Sequence, residues 1–291
     1  MTLTAPPRML LVHAHPDDES LWTGGTIARY AAAGVAVTLV TCTLGEEGEV
    51  IPEFLRGLAA QAADQLGGYR VGELRAACAV LGVSDQRYLG GIGRWRDSGM
   101  VDTPANGHPR AFAAGDPGEQ TAALVEVLAE VRPQVVISYG PDGGYGHPDH
   151  IRAHQVTMAA CAAVSDVDRV FYAVTSRTAV EDGVAALAGY AGQPYRLPRP
   201  GELPVTDDAE ISTAVRVTEA LPAKLGALRA HATQISVWQG AEGERCYALS
   251  NGIAQPVLDE EYYVLARGPR TGVETDLFGG LGLAEAPGVR S

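Results

Sequence analysis

The segment Met9–Ala14 (MLLVHA) is apolar on both faces, and a strand without a polar face belongs inside a sheet covered on both sides. The pattern recurs. Val35–Thr43 (VAVTLVTCT) is rich in β-branched residues, Gln134–Tyr139 (QVVISY) is a further buried-type run, and Arg87–Leu89 and Arg169–Val174 read as shorter strands. Helical stretches stand between them. Leu21–Ala33 sets Ile27, Tyr30 and Ala31 on one face and stops at Gly34. Leu66–Leu81 carries a stripe of Leu74, Ala77, Val80 and Leu81, closed by Gly82. Glu119–Val131 turns Leu124, Val127, Leu128 and Val131 inward, with Pro133 just beyond its end, and a helix over about Pro148–Ala163 follows a glycine-rich loop. This alternation predicts an α/β fold: an open, mostly parallel, Rossmann-like sheet with helices on both faces.

The rest of the chain is less regular. Pro194–Glu210 is proline-rich and acidic and reads as an extended connector, Glu219–Ala232 as a helix and Glu261–Ala266 as a strand. No second core is evident, so the expectation is one domain over 1–291, with an α/β core at about 9–175 and a C-terminal elaboration from about 176. The glycine-rich tail after Gly268 is expected to be mobile at its very end. The sequence has no internal repeat.

Thirty-five acidic residues against 22 basic give a net charge of −13, which disfavours nucleic acid and anionic membrane as partners. No apolar run is long enough to span a bilayer, and the first residues lack a signal-peptide pattern. Cys42, Cys78, Cys161 and Cys246 are far apart with no CxxC pair, which suits buried free thiols in a reducing cytoplasm.

Ligands of such sheets bind beyond the carboxyl ends of the strands. The first such turn reads His13-Ala14-His15-Pro16-Asp17-Asp18-Glu19-Ser20 instead of the glycine fingerprint of a dinucleotide site. Two imidazoles and three acids crowded together call for something positive among them, and a divalent metal is the simplest candidate. An acidic helix start would explain one Asp, not the whole cluster. The strand Gln134–Tyr139 leads into Pro141-Asp142-Gly143-Gly144-Tyr145-Gly146-His147-Pro148-Asp149-His150, at the same edge of the proposed sheet. Two such clusters can supply three ligands and leave a fourth position for water, the layout of a catalytic zinc site. Spacing alone leaves the ligands open: His147, His150 and His154 share a helix face, although His154 lies a turn deeper and reads as packing. His108 reads as a surface residue, and Glu46 and Glu47 as solvated loop acids.

The pair His15-Pro16-Asp17-Asp18 and His147-Pro148-Asp149-His150 resembles the PIG-L-like zinc N-deacetylases. Thr43–Val50, Gln65–Arg70, Gly93–Met100 and Ala230–Gln234 are similar to the branch of that family that deacetylates N-acetylglucosaminyl-inositol in mycothiol biosynthesis. The resemblance spans about Met9–Leu281. It implies a Zn2+ ion (Fe2+ or another divalent ion being accommodated by the same donors) on His15, Asp18 and His150, with His13 not a ligand. It further implies Asp17 as general base, His147 as the cationic acid for the departing amine with Asp149 orienting it, and Tyr145 at the oxyanion. The expected partner is a small amino-sugar–inositol substrate. Glu49, Arg70 and Asp97 are candidate hydroxyl contacts, the alternative for Arg70 being an i, i+3 bridge to Glu73. Three other readings compete. The mycothiol S-conjugate amidase shares the zinc motifs, a non-catalytic sugar-binding protein would not need Asp17 and His147 together, and a serine hydrolase would need a Gly-x-Ser-x-Gly elbow that is absent.

Overall fold

Five parallel strands, Arg8–His13 (β1), Ala36–Thr41 (β2), Asp85–Tyr88 (β3), Val135–Tyr139 (β4) and Arg169–Val174 (β5), lie side by side in the order β3-β2-β1-β4-β5. The computed structural model describes residues 6–281 except 84 and 191, so the far end of the tail lies outside the described residues. Crossovers run through Asp18–Ala32 (α1), Leu66–Leu81 (α2), Pro117–Val131 (α3) and Pro148–Ala163 (α4). β1 is central, with Met9 opposite Val37 on one side and Val135 on the other, and Met9 to Val12 are fully buried. Its side chains alternate between two cores. Met9 and Leu11 pack with Ile27, Leu74, Leu81, Leu225 and Leu228, whereas Leu10 and Val12 pack with Leu124, Leu128, Val156 and Ala160.

Helix ends follow local chemistry. Gly82 closes α2 at φ 80, where its N–H reaches the Cys78 carbonyl. Asp116 caps α3 through the Glu119 N–H, with Pro117 in the first turn.

The second half departs from the expectations. Arg177–Leu187 (α5) is a helix, and Thr213–Arg216 (β6) is a strand that the sequence reading lacked. The helix read from Glu219 begins only at Leu221 (α6, Leu221–Ala230), after a 3₁₀ turn at Thr218–Ala220. Ser236–Gln239 (β7), Arg245–Ala248 (β8) and Gln255–Pro256 (β9) form a small antiparallel sheet. Glu260–Arg267 (β10) joins the main sheet antiparallel to β5 and to β6, giving seven strands in the order β3-β2-β1-β4-β5-β10-β6. The α2 stripe is also corrected: Val80 is 46% exposed, while Arg70 and Glu73 are buried on the face that looks toward the carboxyl ends of the strands. The four cysteines are free and buried, and no helix among the described residues is long and apolar enough to cross a membrane.

Candidate active site

Strand order reverses between β1 and β4, so the turns leaving these two strands flank one crevice. From the first turn come His15, Asp17 and Asp18; from the second come Tyr145, His147, Asp149 and His150. The loop Trp95–Gly99 closes the crevice with Asp97 and Ser98. The result is a cleft of about 770 Å³ whose lining includes His15, Asp17, Asp18, Asp97, Tyr145 and His147.

Three atoms meet at its floor. His15 Nδ1 lies 3.5 Å from Asp18 Oδ2, His150 Nε2 lies 3.4 Å from the same oxygen, and the two nitrogens are 3.3 Å apart. A tetrahedral cation about 2.0–2.1 Å from each donor separates its ligands by about 3.3–3.4 Å, so this triangle has the size such an ion requires. The remaining ring nitrogens face fixed partners. His150 Nδ1 donates to the Gly143 carbonyl at 3.1 Å, and His15 Nε2 lies 3.3 Å from Asp149 Oδ2 and 3.5 Å from Asp97 Oδ1. Both imidazoles therefore turn a lone pair toward the Asp18 oxygen, an arrangement that repels itself unless a cation or proton lies between. Gly143 is needed for this approach: its φ is +67, and a Cβ there would stand 2.7 Å from the Cβ of His150.

Asp18 is itself anchored. Its Oδ2 accepts from the Tyr139 hydroxyl at 2.7 Å and from the His15 N–H at 2.9 Å. Burial opposes its charge, but His150 and His15 outweigh burial and hold the carboxyl well below the usual range. At His15 burial is likewise overcome, by Asp97, Asp149 and Asp18, and the pKa rises well above the ordinary value. His147 and the Asp97–Asp149 pair bring further donors within 4.8 Å of His15, but His147 Nδ1 already accepts the Asp149 N–H at 3.2 Å as the cap of α4.

Asp17 lies beside this triangle. Burial pushes its carboxyl up to about 6 against the pull of Arg70, whose Nη2 donates to Asp17 Oδ2 at 3.0 Å.

Several expectations need correction. The Asp149 carboxylate does not orient His147: Oδ2 meets His15 and the Ser98 N–H (2.9 Å), and Oδ1 accepts from Ala113 (3.2 Å), so only the backbone N–H of Asp149 serves His147. Burial, with the neighbouring His15 and His150, pushes His147 down to about 3, a direction that opposes the cationic form expected of it. Arg70 does not bridge to Glu73. It is 2% exposed and committed to Asp17 and the carbonyls of Pro16 and Gly45, while Glu73 accepts from the Thr233 N–H and hydroxyl. Asp97 faces the cleft but sits between imidazoles, 3.5 Å from His15 Nε2 and 4.0 Å from His147 Nε2. Glu46 is buried and accepts the Asp97 N–H at 3.0 Å, whereas Glu47 is half-buried against Arg96. Glu49 is exposed at the cleft, and Tyr145, 46% exposed, sets its hydroxyl 3.4 Å from His150 Nε2. His13 bonds Tyr139 and Thr23, away from the triangle, and His154 bonds the Tyr139 carbonyl. His108 is half-buried.

Sequence reasoning missed Tyr139, Ser98, Glu19 and His231. His231 stands in the Ala230–Gln234 segment that carried part of the resemblance, and Tyr139 ends the strand preceding the second histidine cluster; position relative to the motifs was the available signal.

A Rossmann-like sheet bearing a two-histidine, one-carboxylate triangle beside a further half-buried carboxylate defines a class of metal-dependent hydrolases, and the chain belongs to the PIG-L family, described as GlcNAc-PI de-N-acetylase, through a match over residues 10–161. Among its relatives, the 1D-myo-inositol 2-acetamido-2-deoxy-alpha-D-glucopyranoside deacetylase of Actinosynnema mirum is 69% identical over 282 residues, covering 97% of this chain and 100% of the relative. A protein of Saccharopolyspora erythraea carrying the same name with the suffix 1 is 65% identical, with 98% and 97% covered. The fold is shared with GalB, the 4-carboxy-2-hydroxymuconate hydratase of Pseudomonas putida, at a TM-score of 0.53 and 22% identity over 78% of this chain and 80% of that one. A fold that also serves a hydratase leaves the reaction to be argued from the site.

Proposed function

We propose that this chain hydrolyses the acetamide of 1D-myo-inositol 2-acetamido-2-deoxy-alpha-D-glucopyranoside to acetate and the free amino sugar, in mycothiol biosynthesis. The observation that carries the reading is the 3.3–3.5 Å triangle with Asp17 at its side, in a chain 69% identical to a deacetylase named for that substrate. His15 Nδ1, Asp18 Oδ2 and His150 Nε2 would hold one divalent cation. Two imidazoles and a carboxylate suit Zn2+, and Fe2+ fits the same donors. When bound, the cation supplies Lewis acidity, lowering the pKa of a water and polarising the amide carbonyl.

The chain's own residues do the rest. Asp17, held by Arg70, takes the proton as water oxygen bonds to the carbonyl carbon. Tyr145 offers its hydroxyl to the charge that grows on the carbonyl oxygen. With its Nδ1 already accepting, His147 presents Nε2 to the cleft as a neutral donor at the departing nitrogen. As the C–N bond breaks, the proton held by Asp17 passes to that nitrogen. Glu49 and the cleft-facing Asp97 supply acceptors for the hydroxyls of sugar and inositol. Four buried free cysteines suit a cytoplasmic setting.

One observation favours a second reading. The cleft lining also includes Leu203, Leu249, Ile253 and Leu258, and its volume of about 770 Å³ leaves room for a bulkier amide such as a mycothiol S-conjugate. Zinc-loaded protein assayed side by side on the inositol glycoside, free N-acetylglucosamine and an S-conjugate separates these. We expect the highest kcat/KM on the glycoside and loss of all turnover on chelation. Cleavage that survives chelation, or equal turnover of free N-acetylglucosamine, would refute the reading.

A further inference from the structure

Asp17 adopts φ 102 and ψ −32, a conformation that residues with a Cβ rarely take and that costs about 1–3 kcal/mol. It stands at the position preceding α1, where an Asp side chain ordinarily caps the helix, yet its carboxylate makes no cap bond and turns to Arg70 instead. Something else must hold the backbone. The Asp17 N–H donates at 2.9 Å to Glu19 Oε2, a carboxylate oxygen only two residues further on.

The other oxygen of Glu19 accepts from His231 Nε2 at 2.7 Å and from the Ser20 hydroxyl at 2.5 Å. Glu19 and His231 are both fully buried, and among the described residues His231 Nδ1 has no partner, so the one polar contact of that ring there is with Glu19. A buried acid–imidazole pair with an orphaned nitrogen contributes little net stability compared with apolar packing, so stability is a poor reason for its presence. The ring comes from the end of α6, 212 residues away, and the turn that carries it is tied down by Glu73, which takes the Thr233 N–H and hydroxyl at 2.8 and 2.7 Å. Arg70 lies one turn before Glu73 on the same helix. A single face of α2 thus reaches the Asp17 carboxylate directly and fixes the His231 turn that backs the Asp17 N–H.

We propose that Glu19 and His231 are positioning residues for the reaction: the pair clamps the Asp17 backbone in its strained conformation so that the carboxylate lies beside the cation site. This rests on the reading of Asp17 as general base. Displacing a catalytic group by about 1 Å is worth up to about 100-fold in rate, so His231→Ala should lower kcat by about 10- to 100-fold. KM and the zinc content of the protein should stay near their wild-type values. His231→Gln, which keeps an N–H donor for Glu19, should recover most of the loss.

A double-mutant cycle gives the decisive test, with all proteins assayed zinc-loaded on the acetylated amino-sugar–inositol substrate. In an Asp17→Asn background, His231→Ala should have no further effect on kcat, because the group it positions is gone. Equal fold-losses in the wild-type and Asp17→Asn backgrounds would overturn the proposal, as would His231→Gln behaving like His231→Ala. Should His231→Ala fail to fold, the cycle run with His231→Leu and the comparison of His231→Gln with wild type decide between the same outcomes. Full turnover by Asp17→Asn alone would instead remove the general-base reading itself.

Discussion

Tyr139→Phe isolates the support of one cation ligand. The Tyr139 hydroxyl is fully buried, donates to Asp18 Oδ2 at 2.7 Å, accepts the Ala14 N–H at 2.8 Å and lies 3.2 Å from His13 Nδ1. The ring itself stacks on His150 with centroids 4.1 Å apart and an interplanar angle of 20°. Phenylalanine keeps that stack, so His150 retains its orientation and only the hydroxyl is lost. Orphaning a buried N–H costs about 1–3 kcal/mol and a bond to a charged acceptor is worth about 1.5–3 kcal/mol, partly offset because no hydroxyl is desolvated. We therefore expect the metal-free variant to be about 2–4 kcal/mol less stable to urea. Asp18 also loses the donor that fixes Oδ2, and removal of such a partner typically weakens metal binding about 10- to 100-fold. Competition between the protein and a chelator of known affinity measures this directly. Metal affinity unchanged within about twofold, alongside the loss of stability, would show that Asp18 is not the ligand that Tyr139 supports.

Four further outcomes follow from the geometry. Chelation should abolish deacetylation, and added Zn2+ should restore it; activity that persists in metal-free protein would contradict the triangle's role. Arg70→Met removes the cation that offsets burial at Asp17, so the carboxyl should titrate above about 6 and the acid limb of the kcat/KM profile should move to higher pH, a shift to lower pH being the contrary result. Asp97→Asn should lower kcat about 10- to 100-fold through His15 and His147 and should also raise KM for the inositol glycoside, an unchanged KM removing Asp97 as a sugar contact. Lys224→Met strips a buried ion pair (2.6 Å) from Glu261, whose oxygens also accept the Gly25 and Thr26 N–H groups of α1, and should destabilise the protein by about 3–5 kcal/mol in urea unfolding.

The parallel core was legible because its information is local. β1 and β4 are apolar on both faces, and α2 and α4 run over the residues that periodicity, Gly82 and Pro148 mark out. The C-terminal half lacks such marks. β7 to β9 are strands of two to four residues, mostly half-buried, and β9 contains Pro256, so neither alternation nor length separates them from loop. β6 is only four residues long and becomes a strand because β10 pairs with it, a contact that its own composition does not announce. At the site, the two histidine clusters could be placed at one sheet edge from order alone, but which carboxylate serves which imidazole could not.

That last failure has a physical cause, visible in Arg70 and Glu73. On an exposed helix the i, i+3 rule would pair them, since water screens every alternative and proximity decides. Both are buried here, at 2% and 7% exposure, and inside the protein each charge needs the set of partners that best replaces its water. Arg70 finds a carboxylate and two carbonyls; Glu73 finds an N–H and a hydroxyl more than 150 residues away. Asp149 follows the same logic, passing over the adjacent His147 for His15 and two backbone N–H groups. Short-range spacing therefore locates the charged residues of such a site but loses authority over their pairing at the point where burial begins. The functional partners of a catalytic carboxylate like Asp17 are then best sought among distant residues whose burial has no local explanation, as His231 illustrates.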